Sequence, residues 1–149
     1  MDIDRAHISE SPCDLRAVTL TYGYTAHLPG TSFEDARART VEALKSQGFG
    51  VLTEIDVQAT FKQKLDVAFR PYIILGACNP KAAHEALLHE DKVGVMLPCN
   101  VIVQQRENGE GCEIAAVDPV ASMSAIANPG LKAKAEEIGG KLRQALDAI

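Results

Sequence analysis

The run YIILGAC, from Tyr72 to Cys78, constrains this sequence more than any other stretch. Seven uncharged residues are far too few to cross a membrane, and they suit a strand buried in a sheet. Asn79-Pro80 follows at once. Asparagine is a favoured helix N-cap, and proline is favoured at the first helical position, so a helix starts there and runs to about Glu90. The chain must therefore pass from a buried strand into a helix with no linker between. Cys78 sits at that junction.

The flanking segments supply the rest of a domain. Residues 1–16 are polar and aperiodic and are expected to form a loose arm, with 17–149 as a single domain. Ala17–Tyr24 mixes β-branched and aromatic residues and reads as a first strand. Ser32 is placed to cap a helix whose apolar face is Phe33, Ala36, Thr40, Val41 and Leu44, with Gly48 as its stop. Phe49–Val57 reads as a second strand with Val51, Thr53, Ile55 and Val57 on one side, and Gln58–Leu65 as a short helix. Val93–Arg106 reads as a strand, Asn108-Gly109 as a turn and Cys112–Asp118 as the hairpin partner. Val120–Ile126 suits a helical turn. From Leu131, apolar residues recur every three or four positions, which gives an amphipathic terminal helix. This order of strands and helices predicts a two-layer α+β domain with helices covering one side of the sheet.

Charge and composition narrow the function. The formal net charge is −5, aromatics make up 5% of the chain and there is no Trp. No dense Lys/Arg run is present, so nucleic acid is not an expected partner. No apolar stretch is long enough for a membrane span, and the N-terminus lacks a signal peptide's charged start and apolar core. A cytoplasmic location is expected. There the four cysteines, Cys13, Cys78, Cys99 and Cys112, are reduced thiols, and none forms a CxxC pair.

Cys78 and Cys99 enclose His84 and His89 in one segment. The histidines are five residues apart, about 140° around a helix, whereas a helical metal pair needs i, i+4. They read as solvated helix residues, and no metal is expected. Cys78 has more to offer: the helix start beyond it favours a thiolate, against the tendency of cysteine to be a small buried hydrophobe. If the two flanking strands formed a right-handed parallel crossover, Cys78 and Cys99 would lie at one height. Pro98, which cannot donate to a ladder, marks its position as an edge, a bulge or a strand start.

The segments FGVLTEIDVQATFKQKL, YIILGACNPKAAHEAL, GVMLPCNVIV and AAVDP, in that order, resemble the DUF302 family from about Ser32 to the C-terminus. The resemblance implies a mostly antiparallel, curved, TBP-like sheet with helices packed on one side, in place of the parallel crossover, and a homodimer. It supplies no agreed catalytic residues. The motif positions are Lys64, Gly76, Cys78, Asn79, Pro80, Leu97, Pro98, Cys99, Asp118 and Pro119, each with an ordinary structural role available.

Three functions compete. In the first the homodimeric domain binds a small ligand, haem or a sulfur-containing metabolite among the options, through Lys64, Cys78, Asn79, Cys99 and Asp118. In the second Cys78 carries or reduces a group, with Cys99 resolving. In the third the dimer is itself the function.

Overall fold

A computed structural model describes residues 18–149. The expected arm over 1–16 and Cys13 lie outside the described residues. The elements are β1 (Val18–Thr19), β2 (Gly23–Leu28), α1 (Phe33–Ser46), β3 (Gly50–Asp56), α2 (Val57–Leu65), β4 (Tyr72–Cys78), α3 (Pro80–His89), β5 (Cys99–Gln105), β6 (Cys112–Val117), α4 (Pro119–Ser122) and α5 (Pro129–Asp147). They form one sheet in the order β1-β2-β6-β5-β4-β3, with every pair antiparallel.

The helix boundaries follow from local chemistry. Ser32, Asp56, Asn79, Asp118 and Asn128 each accept a hydrogen bond from a backbone N–H in the first turn of the helix that follows. At Asn79 the donor is Ala82 N, 3.1 Å from the Oδ1. Asn79→Ala should therefore cost about 1 kcal/mol of stability, read as a lowered denaturant midpoint. An unchanged midpoint would remove the cap from the account of this helix.

One face of the sheet is covered by α1, α3 and α5, and the core lies between. The period of two along the strands puts Leu28, Leu75, Val101, Val103 and Ile114 into that layer. The predicted face of α5 is buried throughout: Ile138, Leu142 and Ala145 join these residues, while Leu131 and Ala135 pack in a second cluster with Ala86, Val93 and Met123. Gly139 fits there because a Cβ would come 3.2 Å from the Tyr24 hydroxyl. Its small size lets helix and sheet approach.

Four expectations need correction. The first strand is a hairpin: Leu20 N bonds Gly23 O, so Leu20–Tyr22 is a turn and the longer strand is Gly23–Leu28. Its inward residues Tyr24, Ala26 and Leu28 alternate with Thr25 and His27, and those polar positions hid the pattern. In β3 the ladder shifts between Val51 and Thr53, so Val51 faces Ala77 while Thr53 and Ile55 face Gly76 and Ile74 on the other side.

The third concerns residues 93–98. Val93–Met96 is a 3₁₀ turn, the Leu97-Pro98 bond is cis, and the strand begins only at Cys99. Pro98 stands immediately before the strand. The fourth follows from it. Having spent those residues on turns, the chain re-enters at the end of the sheet it left, so β5 pairs antiparallel to β4 and no parallel crossover forms. β5 is an inner strand, between β4 and β6.

Candidate functional site

The antiparallel pairing of β4 and β5 sets Ala77 opposite Cys99, with Cys78 one residue further along. Two motifs about twenty residues apart thus meet at one end of the sheet. α3 leaves from that end and α5 crosses it. Between them lies a cavity of about 40 Å³, walled by Cys78, Asn79, Pro98 and Cys99 from the two motifs and by Met123, Lys134 and Ile138 from the C-terminal part. Alanines fill in the α3 wall at 82, 83 and 86. Their short side chains leave space between helix and sheet.

The two thiols differ. Cys99 is 7% exposed and faces the helix layer beside Ala77. Burial pushes its thiol up to about 11, with a smaller contribution from Cys78 nearby. Cys78 is half-buried at the strand's last position, and burial raises its thiol as well. The helix start was expected to lower it. Few first-turn donors are left for it: Pro80 has no N–H, Ala82 N bonds the Asn79 side chain and Ala83 N bonds the Asn79 carbonyl. Because Cys99 pairs with Ala77, the two cysteines are offset by one register position and are not a directly opposed cross-strand pair.

The raised Cys99 thiol makes a pH prediction. The folded state holds this proton to higher pH than the unfolded chain, whose thiol titrates near the ordinary 9.0. Its contribution to stability is therefore full below about 9 and is lost as pH rises toward about 11. Cys99→Ala should flatten that loss in denaturation measured across the window. A wild-type slope unchanged by the substitution would place the titration elsewhere.

The other sequence-selected residues separate. Lys64 is exposed on α2, away from the cavity. Asp118 caps α4 through Val120 N at 3.0 Å and is not part of the wall, although Pro119 beside it is. His84 and His89 are exposed on α3. Among the described residues no three His, Cys, Asp or Glu side chains converge as metal ligands would.

Three participants carry no local signal in the sequence. Tyr24 is 5% exposed, its hydroxyl accepts from Arg143 Nη2 at 3.3 Å, and the guanidinium lies 4.7 Å from the ring centre. Burial pushes this hydroxyl up against the hydrogen bond from Arg143, and the Asp118 charge adds to the rise. The cluster ties β2 to α5 next to Gly139 and Pro119. Lys134, on α5, reaches from the cavity wall to Glu85 on α3 and to Glu137, 3.1 Å away. The Lys134 ammonium holds the Glu85 carboxyl below its ordinary value. Only a helical period spanning both ends of the chain could have suggested these partners.

The sequence pattern described as "Domain of unknown function DUF302" matches residues 24–149. A crystal structure of an uncharacterized conserved DUF302 protein from Bacillus stearothermophilus is similar, with 33% sequence identity and a TM-score of 0.78. The similarity covers 87% of this chain and 98% of that one. No curated protein matches the sequence.

Proposed function

The chain belongs to the DUF302 family, and from that premise we propose that it is a homodimeric small-ligand-binding domain whose site is the cavity beside Cys78, Asn79 and Cys99. One observation carries this reading. Two motif segments and the C-terminal helix converge on a single mostly apolar cavity bordered by a few polar groups, the usual composition of a ligand site. Drug-sized ligands occupy roughly 300–1,000 Å³, so at about 40 Å³ the cavity is far too small for haem. A short sulfur-containing metabolite suits the size, and its sulfur would find Cys99 and Met123 in the wall.

The dimer reading has support from the surface of β3 and α2. β3 is a seven-residue edge strand with no buried residue, and α2 has none either. Both nevertheless expose large apolar side chains: Leu52, 65% exposed, and Ile55 on β3, Leu65 on α2, and Val67 just beyond it. A long apolar edge invites pairing with another chain, and a second copy of β3 would cover it. Native mass spectrometry of freshly purified protein tests both parts. The expected result is a species of twice the 16.0 kDa chain mass carrying a small adduct. Leu52→Asp should give monomer at micromolar concentration. Ala83→Leu, which fills the cavity, should lose the adduct. A bare monomer from the wild-type protein would overturn the proposal.

The thiol reading stands second. Its support is that the two thiols are close enough for Cys78 to influence Cys99. Against it stand the raised thiol of Cys78 and the offset placement. Rapid alkylation of Cys78 at neutral pH, protected by an oxidised Cys78–Cys99 form, would promote it to first place.

Beyond these readings, no helix among the described residues is long and apolar enough to cross a membrane.

A further inference from the structure

We infer that the occupant of the Cys99 cavity is a small monoanion: a carboxylate-class head on a tail of three or four apolar or sulfur atoms. This rests on the ligand-binding reading above and specifies its ligand. A second recess, of about 170 Å³, adjoins the cavity and shares Asn79, Ala82 and Lys134 with it. The rest of its wall is Lys81, Glu85, Glu137 and Lys141. The two spaces differ in what they accept.

The inner cavity takes the tail. A water-sized group fills about 10–15 Å³ of such volume, so about 40 Å³ holds three or four heavy atoms. Its alanine, leucine and proline walls offer a charged head almost nothing to replace water, and a buried unpaired charge is strongly disfavoured. The head must stay in the outer recess.

The recess selects the sign of the head. Three lysines (Lys81, Lys134, Lys141) stand against two glutamates (Glu85, Glu137), which leaves one positive charge in excess. Lys134 is bound to both glutamates, and Lys141 Nζ lies 3.8 Å from Glu137. The two carboxylates are thus matched within the wall. Lys81 is exposed at the rim and is in none of these close pairs. Its charge reaches Glu85 only more weakly than that of Lys134 does, so its ammonium is the least committed and the one open to a guest. A cationic guest would have to break the Lys134 pairs to be accepted. An anionic guest completes the charge balance.

Butyrate and 3-mercaptopropionate are suitable probes, with 1-butanol and n-butylamine as neutral and cationic counterparts of similar length. Binding to the full chain is followed at low salt by NMR titration of backbone amides. Both anions should shift the amides of Asn79, Ala82 and the Lys134–Ile138 turn. The alcohol should bind at least tenfold more weakly, and the amine should leave these amides unmoved. Lys81→Glu, at an exposed position, should weaken both anions about tenfold and leave the alcohol unchanged. Added salt should also weaken the anions, since the contact is solvent-exposed. An alcohol that binds as tightly as the anions, or anions indifferent to Lys81→Glu, would overturn this inference while leaving the cavity as a ligand site. If no probe of any charge moves the cavity amides, and native mass spectrometry finds the protein bare, both readings fall.

Discussion

Leu142→Ala is expected to destabilise the fold by about 2–5 kcal/mol, the range for removing a fully buried leucine side chain. Leu142 is 0% exposed and belongs to the main core cluster, where α5 packs on α1 and on the sheet. The loss has two parts. The deleted methyl groups forfeit their transfer out of water, and the vacated space forfeits dispersion contacts that neighbours recover only partly. Collapse around the site is hindered because its surroundings include a β-sheet held by ladders on both sides of its inner strands. The same helix positions Lys134 and Ile138 in the cavity wall, so a loosened α5 should also weaken ligand binding. Urea denaturation checks the first expectation: the midpoint should fall with the slope unchanged. A loss below about 1 kcal/mol would mean that the site relaxes as few cores do.

Gly76→Ala should cost about 1–3 kcal/mol through overpacking, although a single methyl is added. A Cβ at this position would lie 2.2 Å from the Thr53 hydroxyl oxygen and 2.8 Å from Cγ of Pro98. Thr53 can turn its hydroxyl away. The Pro98 ring has no such freedom, and it leads directly into β5. Strain at Gly76 would thus be passed to the strand start that carries Cys99. The double variant Thr53→Ala/Gly76→Ala removes the closer clash and should recover part of the loss, so the two substitutions should not add. Full additivity would show that Thr53 and Gly76 do not interact in solution. Glycine in this motif is therefore explained by close approach across the sheet, with no need for a special backbone angle.

Much of this molecule was legible because many determinants act within a few residues. Ser32 and Asn79-Pro80 announce their helices, and the apolar spacing from Leu131 to Ala145 announces α5 with its buried face. The buried run of β4 and the hairpin at Asn108-Gly109 were equally plain. The α+β class and the one-sided helical cover followed from the order of these elements, and the DUF302 motifs agreed.

Where the sequence reading stopped, the missing information was the pairing of distant strands. Pro98 leaves an edge, a bulge or a strand start open. Nothing local to Val93–Leu97 says that these residues turn instead of extending, yet the antiparallel return of β5 changes the Cys78–Cys99 relation from level in parallel to offset by one position in antiparallel. Burial raises the Cys78 thiol. The helix start offers little against it for a related reason: a helix start attracts negative charge only with donors left free, and the Asn79 cap and Pro80 remove some of them. Tyr24 and Arg143 are separated by 119 positions and meet only because β2 joins the sheet beside β6 and α5 lies across both. Lys134 and Glu85 are joined in the same way. Periods and caps determine elements, since their energies are local. The cavity and its charged rim came from tertiary packing, because its walls belong to elements that only the completed sheet brings together.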